Sequence, residues 1–216
     1  MRKKCTISEQ VYMDIKNSIL KGKYKGGNEL NEITLSEELS VSRTPVREAL
    51  KRLEKDSLIR ITPHKGAMVV EPTLNDVLEL SSIREVVEGL AAKMAAKRIR
   101  DEEIAVIQAE FPDFNEALTP ANYIKAYEAG TKLHDLIVEK AGSKRIGDII
   151  NNLKAQIELV TFKNAEIPGR YEAAFKEHQD IINALKMHDD EAAEKAMKTH
   201  IKNVMMSLID YNKFMI

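Results

Sequence analysis

The chain has 216 residues, 44% of them hydrophobic and 31% charged, with a single cysteine and a formal net charge of −1. Such a composition fits one or two globular domains and excludes a disordered chain or a disulfide-stapled scaffold; no apolar run approaches the roughly 20 residues of a membrane-spanning helix. The charge is uneven: residues 1–72 hold 14 Lys/Arg against 10 Asp/Glu, and residues 73–216 hold 19 against 24, as a nucleic-acid-binding module joined to a non-binding one would.

The basic start (Arg2, Lys3, Lys4) is not followed by a secretory apolar stretch, and Cys5 stands alone, so a cytoplasmic protein is expected. Thr6-Ile7-Ser8-Glu9 has the form of a capping box, and Val11, Ile15 and Ile19 then repeat at helical spacing up to Gly22. After Gly26-Gly27, Thr34-Leu35-Ser36-Glu37 reads as a second capping box opening a short helix through Leu39. Ser42 is the expected N-cap of a third helix, with Val46, Ala49, Leu50 and Leu53 as its buried stripe and Pro45 in its first turn.

Beyond Asp56 the period changes. Ile59 and Ile61, then Pro63-His64-Lys65-Gly66, then Met68 and Val70 predict two short strands around a tight turn. Three helices closed by a hairpin make a winged helix-turn-helix, expected over residues 1–72. From Leu74 on, only helical patterns occur: to about Ile99, a short one from Asp101, one from Thr119-Pro120 to Gly142, then roughly 143–163, 168–187 and 189–212. The fold class is therefore mainly α, with an all-helical second domain over residues 73–216.

A DNA-reading helix needs long donors near its start and an apolar back. Arg43 and Arg47 lie one turn apart, with Lys51 continuing the stripe; an Arg takes guanine O6 and N7 with two hydrogen bonds. Thr44 is placed for a base or phosphate, Ser42 for a phosphate, and the wing tip His64-Lys65-Gly66 for the backbone or a minor groove. The alternative is a solvated face whose charges pair with neighbours such as Glu48 and Arg52.

The string Leu35-Ser36-Glu37-Glu38-Leu39-Ser40-Val41-Ser42-Arg43-Thr44-Pro45-Val46-Arg47-Glu48-Ala49-Leu50-Lys51-Arg52-Leu53 resembles the helix-turn-helix of the GntR superfamily. Ile83-Arg84-Glu85-Val86-Val87-Glu88 followed by Ala91-Ala92 is similar to the opening helix of the FadR branch, whose FCD-type effector domain is a bundle of six or seven helices. The resemblance implies a homodimeric repressor-type regulator, not an enzyme, on a palindromic operator in double-stranded DNA. It assigns base and phosphate contacts to Arg43, Thr44 and Arg47 and the minor-groove approach to His64 and Gly66.

His134, His178 and His200 fall on apolar faces of three different helices. They are either separate core histidines, each hydrogen-bonded nearby, or a converging site suited to Zn, Ni or Mn. The resemblance favours the site, because effector domains of this branch place histidines at these positions and an Asp one turn before the first. Here that residue is Gly130. Neither neighbour replaces it: Glu128 sits about 240° and Asp135 about 100° around the helix from His134. Arg84 is implied to contact an effector carboxylate, its alternative being a salt bridge to Glu88. Arg84 with the three histidines points to a small organic acid as effector. A metal-free pocket, including one for an acyl ligand, is the second reading. A metal-dependent hydrolase fused to a helix-turn-helix is a third, and it lacks a recognisable general base such as His-Glu-x-x-His.

Overall fold

The computed structural model describes residues 6–62, 66–112, 120–165 and 167–214. It divides into two compact units, Met1–Thr73 with Asn152–Phe162, and Leu74–Asn151 with Lys163–Ile216.

In the first unit, α1 (Ile7–Leu20) starts at Thr6, whose hydroxyl accepts from the Glu9 amide at 3.2 Å. The reciprocal half of that box is not made, since Glu9 turns to Arg52 instead. The second expected box is displaced. Helix α2 (Glu32–Glu38) begins earlier, because the Asn31 side chain accepts from the amides of Ile33 and Thr34 and so makes Asn31 the N-cap. Helix α3 (Arg43–Lys55) follows a tight turn in which Ser40 adopts φ 53°. Strands β2 (Ile59–Thr62) and β3 (Gly66–Val69) form the expected hairpin. A two-residue strand β1 (Glu29–Leu30), too short to leave a periodic signal, completes an antiparallel sheet of order β1-β3-β2, with Glu29 opposite Met68 and Ile59 opposite Val69. Burial alternates along β3, where Ala67 and Val69 point inward onto Val46, Leu53 and Leu58. Ala155 and Leu159 complete this apolar cluster, and Lys16 pairs with Glu158 at 2.5 Å.

The second unit is built from α4 (Leu74–Ala96), α5 (Asp101–Glu110), α6 (Pro120–Lys140), the two ends of α7 (Lys144–Ala165), α8 (Arg170–Lys186) and α9 (Asp190–Phe214). Helix α4 carries a buried run of small residues, Gly89, Ala91, Ala92, Ala95 and Ala96, and packs most extensively on α9. Gly89 leaves room for the Lys198 side chain of α9: a Cβ on it would lie 2.8 Å from Cγ of Lys198. Leu133, Ile137, Ile181, Ile182, Leu185, Met197 and Ile201 form the core between α6, α8 and α9. Among the described residues no helix is long and apolar enough to cross a membrane.

Candidate functional site

Helix α3 is strongly two-faced. Val46, Ala49, Leu50 and Leu53 are buried, while Ser42, Arg43, Thr44, Arg47 and Lys51 are exposed along the other side. Ser42 stands at the N-cap with extended backbone, but its hydroxyl makes no cap bond, which leaves it available to a phosphate. The neighbours considered as competing partners are occupied elsewhere. Glu48 accepts from Ser8 on α1. Arg52 pairs with Glu9 and lies 3.8 Å from the centroid of the Tyr12 ring, bracing α3 on α1. Arg47 is the exception, held by Glu32 of α2. Gly66 opens β3 at φ 83°, a conformation open to glycine but strained for other residues. His64 and Lys65 lie outside the described residues.

In the helical unit the three predicted histidines come together. His134 on α6, His178 on α8 and His200 on α9 place ligand nitrogens within 4.8 Å of one another. Their ring centroids are 5.6 Å (His134–His178), 5.2 Å (His134–His200) and 4.6 Å (His178–His200) apart.

Two carboxylates that sequence reasoning did not place at the site, Glu88 buried and Glu177 part-buried, orient this cluster. Glu88 Oε2 lies 2.5 Å from Nδ1 of His134, and Oε1 of the same carboxylate accepts from Arg84 Nε at 2.6 Å. Glu177 Oε2 lies 2.7 Å from Nδ1 of His200 and pairs with Arg170, while Oε1 accepts from Asn203 at 2.8 Å. The arrangement is thus two Arg–Glu–His relays. A carboxylate cannot donate, so Nδ1–H must, and each anchored ring keeps its free lone pair on Nε2. Glu88 had a sequence signal, the i,i+4 spacing from Arg84. Glu177 had none, since its partners come from the start of α8 and from α9.

Arg84 is itself buried, 4% exposed, in the Glu88 ion pair, so the salt bridge weighed as its alternative is present. Position 130 faces the cluster: a Cβ on Gly130 would lie 2.7 Å from Cε1 and 3.2 Å from Nε2 of His178. The His178 ring fills that space, with Phe111 on another side at 5.5 Å between centroids.

Burial holds His178 and His200 well below the ordinary imidazole range, and the neighbouring histidines and arginines push them further down. For Glu88 burial opposes ionisation, but the charges of Arg84 and His134 outweigh it and keep the carboxyl below its ordinary range. The two histidines are neutral in the folded protein and take up protons on unfolding below about pH 6.5. Unfolded chains then bind more protons, so stability falls as pH drops. Thermal melts of chelator-treated protein should therefore lose midpoint temperature between pH 7.5 and 5.5, at up to about 3 kcal/mol per pH unit for two such groups. A flat profile would mean that the rings are not buried neutral. Glu88 adds a loss of the same sign only below about pH 4.5.

Comparison with known proteins agrees with both halves. The pattern described as "Bacterial regulatory proteins, gntR family" matches residues 7–69, and that of the FCD domain matches residues 79–203. The HTH-type transcriptional repressor RspR of Escherichia coli K12 is 28% identical over 202 residues, covering 94% of this chain and 89% of its own. The regulator YdhC of Bacillus subtilis is 26% identical over 195 residues, covering 90% and 87%. The solved structure of E. coli McbR/YncC shares the fold, with a TM-score of 0.78 at 22% identity over 95% of this chain and 99% of that one. A two-faced helix α3 in a winged unit, followed by this helical bundle, identifies the chain as a DNA-binding transcription regulator that belongs to the GntR family and carries an FCD domain.

Proposed function

We propose that a DNA-binding domain, residues 1–72, reads a palindromic operator as a homodimer of the FadR branch, and that an effector domain, residues 73–216, controls that binding through a small carboxylate held at a three-histidine metal centre. DNA contacts are assigned to Ser42, Arg43, Thr44, Arg47, Lys51 and the wing residues His64, Lys65 and Gly66. The single observation that carries the metal assignment is the pair of carboxylate-anchored imidazoles, His134 on Glu88 and His200 on Glu177. Metal-bound histidines commonly donate their second nitrogen to a carboxylate, which fixes ring orientation and raises ligand basicity.

The residues fit a divalent metal of the Zn, Ni or Mn type: three imidazole nitrogen donors from three helices, close enough to converge on one ion. A bound metal would supply Lewis-acid coordination to an oxygen ligand. The chain's own part is to hold two rings by their Nδ1–H and to surround the cluster with the positive field of Arg84 and Arg170, both of which act on His200. No carboxylate stands at position 130, where the His178 ring fills the space, so an oxygen ligand on such an ion is left to an anionic effector. A hydrolytic reading finds Glu88 and Glu177 already committed to Arg and His partners.

The test is elemental analysis of untagged protein purified without chelator, followed by titration with di- and hydroxycarboxylates. About one metal per chain is expected, and acid binding that disappears on metal removal. A metal-free protein, after soaking in Zn, Ni and Mn and desalting, overturns the metal centre and supports the second reading, in which neutral histidines line a metal-free pocket. Gly130 is the observation that favours that second reading.

A further inference from the structure

Arg47, one turn into the recognition helix, does not hang free. Its Nε and Nη2 donate to Oε1 and Oε2 of Glu32 at 3.1 and 2.9 Å, a two-pronged contact made from another helix. Glu32 is itself fixed: it is the first residue of α2, whose N-cap Asn31 closes the helix start on the amides of Ile33 and Thr34. The carboxylate also lies within the electrostatic reach of Arg43 and Lys51, and the hydrogen bond from Arg47 leads in holding its carboxyl below the ordinary range. It thus serves the whole cationic stripe and grips only Arg47.

The geometry of a guanidinium decides what such a grip does. Five N–H groups point outward in one plane. A carboxylate on the Nε/Nη2 edge uses two of them and leaves the Nη1/Nη2 end with a second, parallel fork. That second fork has the two parallel donors that guanine O6 and N7 accept. An ungripped Arg must be ordered when it binds, at a cost in rotamer freedom. A gripped Arg is already ordered, and the Arg47 side chain stays 60% exposed. The same negative charge beside three cations repels phosphate, and repulsion of this kind weakens binding to every sequence alike.

We infer that Glu32 is a specificity-determining residue of the DNA-reading face: it positions Arg47 for guanine and suppresses sequence-independent binding by the Arg43–Arg47–Lys51 stripe. It touches no base and acts through Arg47. The inference rests on Arg47 being a base reader, as proposed above.

The test uses the full chain and a duplex motif enriched by that chain from a random pool, with a scrambled duplex as reference. Glu32→Ala is expected to lower discrimination between the motif and its single-base variants about tenfold at one guanine position. It should also tighten binding to the scrambled duplex and steepen the salt dependence of that binding by about one unit of log–log slope. Glu32→Gln, which keeps the size of the side chain and guards against loss of the α2 start, should show the same signs with smaller amplitude. In the Arg47→Ala background, Glu32→Ala should leave base preference unchanged. Equal tightening on motif and scrambled duplexes with base preference intact would make Glu32 a mere competitor for Arg47 and overturn the positioning role. Undiminished preference after Arg47→Ala alone would instead strike the assignment of Arg47 on which the inference stands.

Discussion

Glu88→Ala should destabilise the helical unit by about 3–5 kcal/mol, because it strands the Arg84 guanidinium in the interior. Arg84 is 4% exposed and its Nε donates to Glu88 at 2.6 Å. The transition of the helical unit in a thermal melt should fall by roughly 10 °C. The same substitution removes the acceptor of the His134 Nδ1–H, so metal affinity should drop about 10- to 100-fold. Stability and ligation can be separated. The double variant Arg84→Met with Glu88→Leu replaces a buried ion pair by apolar side chains of similar size, an exchange that is often neutral or stabilising. It should recover the melting temperature and leave metal affinity low. Recovery of both would show that Glu88 serves only Arg84; recovery of neither would show that the pair is needed for packing around α4.

The second large effect is expected at His178. Unlike His134 and His200, it sits against the backbone of α6 at Gly130 and against Phe111. Its only assigned task is ligation. His178→Ala should take the metal content of the purified protein from about one per chain to none while far-ultraviolet circular dichroism stays that of the parent. His178→Gln, which fills more of the space, distinguishes a packing defect from a ligand defect: it should restore any lost melting temperature and still bind no stoichiometric metal. Retention of one metal per chain in either variant would remove His178 from the site. For the folded, metal-free parent, burial keeps His178 and His200 unprotonated to well below pH 6.5. Proton competition for these two ligands should therefore weaken metal binding only at distinctly acid pH.

Much of this protein is legible in its sequence, for local reasons. Helical periodicity marked α1 and α3 because their buried residues recur every three to four positions on a single face. The hairpin was visible because its strands alternate and a glycine closes its turn. The exposed stripe Arg43, Arg47 and Lys51 followed from the same helical geometry that buries Val46, Leu50 and Leu53. Where local signals competed, the reading slipped. Thr34 looked like a cap, but Asn31, three residues earlier, is the better acceptor for free amides, and the helix begins there. Strand β1 left no trace because two residues have no period; it exists only as a partner of β3.

The sequence alone determined where the candidate residues lie along their helices: the cations on one exposed face of α3 and the three histidines on apolar faces of three others. It could do so because residue type and position along a helix are properties of a single segment. Tertiary structure decided which of them meet. Only packing of α4, α6, α8 and α9 brings Glu88 under His134 and Glu177 under His200, and converts two lone glutamates into anchors for imidazoles. Only the approach of α2 to α3 gives Arg47 a carboxylate to grip. These pairings join residues 15, 23 and 46 positions apart in the chain, distances over which no propensity or periodicity acts. The two histidine pairings arise from side chains that must find partners once burial has taken water away; the Arg47–Glu32 pair forms at the surface, where α2 meets α3.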